Sequence, residues 1–340
     1  MRAFVITGPG QGEVQDVPEP SAGAGQVVVE VDRVGVCGTD AEMFSGDMVY
    51  LATGESRYPI RIGHEWCGRV IEVGAGVEET WLGRRVTGDT MLGCGRCERC
   101  RTGRQHLCAD RFEIGIRLGW PGALAERLLV PAWALVALPD EVDEVAGALV
   151  EPGGNAYRAV QGAAPSPGSR LLVLGAGTIG LLVALIARAQ GAAVHLLGRS
   201  ARSREFACTL GFDQVWTAET LDRGLTFDAV VDASNAVTMP AFALEAVEPG
   251  GRVVLVGLSG VPSLVDSRPI ALKDLTVVGV LSGSGGLAGV TQLYASGRVD
   301  ARPLVAATVA LDEVADVLAG GRPSGAGPGP KLHVDPRRTR

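Results

Sequence analysis

Four of the seven cysteines fall in one short stretch, Cys94-x2-Cys97-x2-Cys100-x7-Cys108, with Gly93, Gly95 and Gly103 among them. Thiols two residues apart across a tight turn can aim at one ion, and glycines let backbone N–H groups approach the sulfurs. The spacing predicts a closed four-thiolate zinc site with no open position for chemistry. A disulfide-stapled loop is the competing reading, disfavoured in a reducing compartment. Arg96, Arg99, Arg101 and Arg104 stand among the thiols, either offsetting their excess negative charge or forming a solvated face.

Of the other cysteines, Cys67 and Cys208 read as small buried side chains. Cys37 closes an alternating apolar run, Val27–Val34, that predicts a strand, and sits in Gly35-Val36-Cys37-Gly38-Thr39-Asp40. His64, one of four histidines, lies in Gly63-His64-Glu65. Either residue alone is ordinarily packing, but a histidine between a glycine and a glutamate is also a candidate functional group.

A third constellation follows the apolar strand Leu171–Leu174, where Gly175-Ala176-Gly177-Thr178-Ile179-Gly180 opens a helical run to Gln190. In that context G-x-G-x-x-G is the dinucleotide fingerprint: its glycines make the turn, admit the pyrophosphate and let the helix pack, and the helix N-terminus favours the anion. The next strand, Val194–Leu197, runs into Gly198-Arg199-Ser200, where an NAD enzyme places a carboxylate. Arg199, with Ser200 and Arg202 or Arg204, offers donors to a 2′-phosphate. NADP is therefore expected ahead of NAD, a solvated loop that tolerates both being the alternative. Ala233, Ser234, Gly257 and Leu258 occupy strand ends where such folds place the nicotinamide.

These residues need a scaffold, and 340 residues at 46% hydrophobic and 20% charged suffice for two domains. A net charge of -7 without a basic block argues against nucleic acid and an anionic membrane surface as partners. The longest apolar run, Gly180–Ala187, is far short of the roughly 20 residues of a membrane span. The opening Met1–Gly8 turns before any signal-peptide core, so a cytoplasmic protein is expected. Only Lys273 and Lys331 are lysines, which reads as genome composition.

Up to Gly154 short strands alternate with Gly/Pro turns. From Asn155 to Gly283 strands (Ala229–Asp232, Arg252–Gly257) alternate with helices (Met239–Ala246), which predicts a doubly wound parallel sheet. Beyond lie an expected helix, Leu311–Leu318, a Gly/Pro-rich loop, Pro323–Pro330, a last strand, Lys331–Val334, and a basic tail, Pro336–Arg340.

Gly-Val-Cys-Gly-Thr-Asp, then Gly-His-Glu, then the four-cysteine loop, in that order, resemble the zinc-dependent medium-chain dehydrogenase/reductases over nearly the whole chain. The resemblance implies an α/β protein with an irregular β-rich GroES-like catalytic domain, 1–154 completed by 284–340, and a Rossmann domain, 155–283, with the site in the cleft between them. It implies two Zn2+ per chain, the catalytic one on Cys37 and His64. The third ligand is Glu151, in Ala148-Leu149-Val150-Glu151-Pro152, as in the polyol and sugar branch; Glu65 stands behind the metal or intermittently on it. Such a site leaves a place for a substrate hydroxyl, whose carbinol hydrogen passes to the nicotinamide as hydride. Thr39 matches the family's proton-relay hydroxyl. Glu42 replaces a histidine common at the relay's end, so the proton leaves through Glu42, or through Glu65, Asp40 or water.

Gly-Thr-Asp-x-Glu, the Glu-Pro ligand and the Gly-Arg loop look like the glucose and polyol dehydrogenases. Val-Glu-Pro-Gly-Gly-Asn, the short length and the composition are similar to enzymes that oxidise 2-deoxy-scyllo-inosamine to 3-amino-2,3-dideoxy-scyllo-inosose in aminoglycoside antibiotic biosynthesis. For such a hydroxyl-rich substrate, Asp40, Glu42, Glu113 and Asn155 are candidate polar contacts and Trp120 an apolar wall, with Glu42 or Glu113 facing the amine. The alternatives are a catabolic glucose or sorbitol dehydrogenase, a zinc-free quinone or enoyl reductase, and a non-enzymatic zinc-binding protein. The resemblance also implies a homodimer or homotetramer pairing sheet edges, with Leu275–Leu281 as that edge.

Overall fold

The computed structural model describes residues 1–222 and 224–338. The chain divides into two compact units: Met1–Glu151 with Arg302–Gly327 and the segment from Lys331 onward, and Pro152–Ala301 with Pro328–Pro330.

In the first unit, β1 (Arg2–Gly8) and β2 (Gln11–Asp16) form an antiparallel hairpin. There follow β3 (Gln26–Gly35), β4 (Glu65–Val73), β5 (Arg85–Gly88), the small pair β6 (Met91–Leu92) and β7 (Phe112–Glu113), β8 (Arg127–Pro131) and β9 (Leu135–Ala137). The hub is β3, which pairs antiparallel with β4 and β8. Its Val27, Val28, Val29, Val31 and Val34 are buried, and β-branched side chains suit a pleated strand covered on both faces. Phe4, Ile6, Trp66, Leu128 and Ile114 complete the core around it. The register pairs Gly35 at the end of β3 with Glu65 at the start of β4. Cys37, two residues past one strand, and His64, one residue before the other, are thus delivered to the same edge of the sheet.

The second unit carries β10 (Arg170–Leu174), β11 (Ala193–Leu197), β12 (Val215–Trp216), β13 (Phe227–Asp232), β14 (Val247–Leu255) and β15 (Thr276–Gly279). They form one parallel sheet in the order β12-β11-β10-β13-β14-β15. Leu171–Leu174 are fully buried, as expected of a strand with helices over both faces. The order reverses at β10, whose neighbours are β11 and β13, so a crevice opens beyond the carboxyl ends of these strands. The run Gly180–Ala187 is buried throughout in the helix Thr178–Ala189, and no helix among the described residues is long and apolar enough to cross a membrane. Strand β14 starts at Val247, earlier than the expected Arg252, because Val247 pairs with Phe227 across an irregularity in the ladder.

The chain then supplies β16 (Val305–Ala310) and β17 (Lys331–Asp335) to the first unit's sheet, β17 lying between β16 and β3. The expected helix Leu311–Leu318 is a 3-10 turn, Leu311–Glu313, followed by the helix Val314–Leu318. The Glu313 carboxylate accepts the Ala310 N–H at 2.9 Å and caps that tight first turn. In the basic tail, Arg337 bonds Glu30 and Asp32 of β3, while Thr339 and Arg340 lie outside the described residues. Cys208 is exposed rather than buried: Phe206 and Ala207 are the buried residues of its helix, Ala201–Thr209.

Candidate active site

Cys37 Sγ, a ring nitrogen of His64 and a carboxylate oxygen of Glu65 all lie within 4.8 Å of one another. Asp40 organises the first two. Its Oδ2 accepts the Cys37 N–H at 2.9 Å and its Oδ1 accepts the Gly63 N–H at 3.2 Å. Oδ1 also stands 3.5 Å from His64 Nδ1, an ion-pair distance that leaves the other ring nitrogen to act as a ligand. Burial draws the His64 pKa down, but the Asp40 carboxylate and the Cys37 thiol more than offset this and hold it well above the ordinary value. Asp40, one of several candidates for substrate contact or proton exit, thus stands as a brace between the Cys37 and Gly63 amides beside His64.

Glu65 is held from behind by a residue that no sequence motif marks. Lys331 Nζ, on β17, donates to Glu65 Oε1 at 2.8 Å and Oε2 at 2.7 Å, and to the Val36 carbonyl at 2.9 Å. Both side chains are buried, at 4% and 1% exposure, so the pair is desolvated and mutually dependent. Gly35 makes the space, because a Cβ there would stand 2.1 Å from Glu65 Oε2.

Glu151, near the start of the helix Val150–Ala163, is buried but outside the Cys37–His64–Glu65 group. Burial, with the charges of Glu65 and Asp89, pushes its carboxyl up to about 7 against the pull of His64 and Lys331. A buried carboxyl in that state needs a cation to ionise fully.

Thr39 Oγ1 lies 3.9 Å from Cys37 Sγ. Glu42, on the exposed side of the helix Gly38–Ser45, has its carboxyl raised by partial burial and by Asp47. Glu113 is not available to a substrate amine: Arg111 Nε donates to it at 2.8 Å and Tyr50 OH at 3.2 Å. Trp120 packs edge-on to Phe112 and donates Nε1–H to the Leu129 carbonyl at 3.0 Å. Asn155 lies in the helix Val150–Ala163.

Cys94, Cys97, Cys100 and Cys108 also converge within 4.8 Å, and all seven thiols are free, which sets aside the stapled loop. A tetrahedral zinc with bonds of about 2.3 Å requires sulfur–sulfur edges of about 3.8 Å. The edges Cys97–Cys100, Cys97–Cys108 and Cys94–Cys100 measure 3.5, 3.8 and 4.0 Å. Four thiols so placed cannot all ionise alone: backbone amides of Arg96 and Cys97 draw Cys94 down to about 6, while burial drives Cys100 up to about 12.

The second unit's crevice, of about 530 Å³, is lined by Gly175, Gly177, Arg199, Ser200, Ser234 and Gly257 among others. The fingerprint glycines have separate tasks. Gly175 adopts φ 102°, a Cβ on Gly180 would stand 1.8 Å from the Gly175 carbonyl, and a Cβ on Gly177 would meet no protein atom within 4 Å. The first makes the turn, the second lets helix and strand touch, and the third keeps open a space that a pyrophosphate fits. Thr178 and Ile179 open the helix behind it. Arg204 is occupied, donating to the carbonyls of Gly198 and Arg199 at 3.0 and 2.9 Å, whereas Arg199 lines the crevice. Ser234 is fixed by Asp232 Oδ1, which accepts both its hydroxyl and its N–H.

Comparison with known proteins agrees with both units. The chain matches the alcohol dehydrogenase GroES-like domain over residues 23–140 and the zinc-binding dehydrogenase family over residues 178–296. L-threonine 3-dehydrogenase of Saccharopolyspora erythraea is 35% identical over 291 residues, 82% of this chain and 83% of its own. A zinc-binding dehydrogenase of Sinorhizobium meliloti 1021, solved bound to NADP, superposes with a TM-score of 0.88 at 29% identity, covering 98% of this chain and 99% of its own. Galactitol-1-phosphate dehydrogenase of Escherichia coli gives a TM-score of 0.86 at 25% identity, covering 99% and 100%. The chain belongs to the zinc-dependent medium-chain dehydrogenases. It is an NAD(P)-dependent enzyme of the alcohol and polyol dehydrogenase type, which removes the zinc-free reductase and the non-enzymatic zinc protein from consideration.

Proposed function

We propose that the enzyme oxidises a secondary hydroxyl of an amine-bearing polyol, with NADP as preferred cofactor. The metal would be zinc on Cys37, His64 and Glu151, with a second zinc in the four-cysteine loop. The observation that carries this reading is the convergence of Cys37 with buried His64 and Glu65, beside Glu151. Lys331 holds both Glu65 oxygens, and Glu151 is the third ligand that the resemblance to the polyol branch implies.

When bound, zinc supplies a Lewis acid toward the substrate oxygen, and the nicotinamide supplies the hydride acceptor. The chain's own groups do the positioning. Asp40 orients His64 and fixes the Cys37 amide, and Lys331 neutralises Glu65. Thr39 takes the hydroxyl proton at Oγ1. Glu42 either receives that proton or pairs with the substrate ammonium, since Asp40 and Glu113 are both engaged. In the cofactor domain Arg199 and Ser200 meet the 2′-phosphate, and among the described residues no carboxylate lines that crevice to favour a free ribose hydroxyl.

The substrate we place first is 2-deoxy-scyllo-inosamine, which would put the enzyme in aminoglycoside antibiotic biosynthesis. L-threonine stands second, favoured by the 35% identical relative, itself named for an amino alcohol. Glucose and sorbitol follow. Seven free thiols suit a cytoplasmic setting. The strand β15 ends its sheet, and Leu264 and Leu272 of the same unit are exposed, which supports a homodimer joined through that edge.

Initial rates of nicotinamide reduction, with NADP or NAD and each of these substrates, test the reading. Turnover of the aminocyclitol, faster with NADP, supports it, whereas turnover of L-threonine alone overturns the polyol in favour of the second reading. Turnover confined to glucose or sorbitol overturns the amine-bearing substrate, and a preference for NAD overturns the cofactor assignment. Glu42→Gln separates its two roles: a lost relay lowers kcat for every substrate, whereas a lost ammonium partner raises KM for amines alone.

A further inference from the structure

Arg61 occupies an unusual position for an arginine in this protein. Arg2, Arg33, Arg111, Arg117, Arg127 and Arg337 all pair with carboxylates. The Arg61 guanidinium is half-buried and has no hydrogen-bond or ion-pair partner among the described residues, although the chain carries more acidic than basic residues. Burial alone lowers its pKa, with no neighbouring charge adding to or opposing the effect.

It lines a groove of about 460 Å³ with Val17, Pro18, Pro59, Trp120 and Pro121. Three prolines leave these walls little freedom, and the Trp120 ring is fixed by its bond to the Leu129 carbonyl. Gln15 also lines the groove, but its amide N–H donates to Glu13, so among the described residues Arg61 is the one charged group lining the space. None of the lining residues belongs to the Cys37–His64–Glu65 group. Apolar walls, a fixed aromatic and a single unpaired guanidinium are what a small-molecule site needs, and the volume falls in the range of such sites. A guanidinium there selects a planar anion that accepts two parallel N–H bonds.

We propose that this groove is an accessory binding site for a small organic carboxylate, its apolar body against Trp120 and the prolines and its carboxylate on Arg61. Such a ligand touches the segment that delivers the active-site histidine. Arg61 stands three residues before His64, and its carbonyl holds the Gly122 N–H at 2.9 Å.

The test is titration of the zinc-loaded enzyme with sodium hexanoate, followed by tryptophan fluorescence and by saturation-transfer NMR. Parallel titrations use Arg61→Gln, Trp120→Phe and Cys37→Ser. Saturable binding is expected, weakened at least about tenfold in Arg61→Gln, the loss of a charge-assisted hydrogen bond. The fluorescence change should vanish in Trp120→Phe, and binding should persist in Cys37→Ser. Turnover without hexanoate should be unchanged in Arg61→Gln, since the residue touches no catalytic group. Equal affinity for wild type and Arg61→Gln, or no saturation by about 50 mM, overturns the proposal. So does binding that survives Arg61→Gln and disappears in Cys37→Ser, because the carboxylate is then on the catalytic metal.

Discussion

Lys331 and Glu65, 266 residues apart in the chain, form a two-pronged ion pair at 2.7 and 2.8 Å inside the first unit. Removing one partner strands the other charge away from water. Lys331→Met is expected to destabilise the fold by about 3–5 kcal/mol, while the double variant Lys331→Met/Glu65→Gln recovers most of the loss. Urea denaturation of the four proteins of this cycle reads the coupling directly. A single-variant loss under about 1 kcal/mol would mean that water reaches the pair.

The four-cysteine loop makes a metal prediction. Cys100→Ser should reduce zinc from two per chain to one, measured by elemental analysis of the purified protein. Loss of that anchor should lower the unfolding midpoint by about 5–10 °C, at two to four degrees per kcal/mol. Unchanged zinc content would show that three thiolates and a water suffice.

Arg199→Asp exchanges the group expected to meet the 2′-phosphate for one that accepts ribose hydroxyls. Charged hydrogen bonds are each worth about 1.5–3 kcal/mol, so kcat/KM with NADP should fall about 10- to 100-fold, and that with NAD should rise. Paired steady-state assays with both cofactors check it. An equal fall for both would place Arg199 on a phosphate they share.

His333 makes a pH prediction. It is fully buried on β17, neither ring nitrogen has a hydrogen-bond partner among the described residues, and burial with the charges of Lys331 and Arg33 holds its pKa well below the ordinary value. The unfolded chain takes up a proton below about pH 6.5 that the folded chain refuses. Stability is therefore lost as pH falls below that point, by about 1.4 kcal/mol per pH unit, until the folded pKa is reached. Above it His333 contributes no slope. Denaturation at several pH values should show His333→Leu less acid-sensitive than wild type by this amount; identical slopes would mean that the folded protein protonates the ring.

The apolar margin of the second unit predicts an association state. Leu264 and Leu272 are 92% and 84% exposed. Leu264→Asp/Leu272→Asp should halve the mass found by sedimentation equilibrium while leaving circular dichroism unchanged. A wild type already monomeric at micromolar concentration would refute the dimer.

What is legible in the chain without its structure is what local spacing encodes. The strand at Leu171–Leu174 announces itself by an unbroken apolar run, Val194–Leu197 by an apolar run that only His195 interrupts, and the four-cysteine loop needs only fifteen residues to define itself. The brace between Asp40 and His64 leaves a trace too, since Asp40 lies three residues past Cys37, where a side chain reaches back to the first amide of a helix. Lys331 leaves none. Its role depends on β17 entering the sheet beside β3, a pairing that no periodicity predicts. Glu113 misleads for the converse reason: its engagement by Arg111 and Tyr50 exists only once loops distant in sequence have met.

The position of β17 also bears on how the molecule is made. The sheet that presents Cys37 and His64 is missing an interior strand until Lys331–Asp335 has been made, because β17 lies between β16 and β3. At about 5–20 residues per second, Glu65 is synthesised roughly 10 to 50 s before Lys331. In that interval the second unit, closed within Pro152–Ala301 but for three residues, can complete its parallel sheet, while the first holds an open seam along β3. Of the two units, the one whose β3 is made before any strand of the other is the one whose sheet closes later.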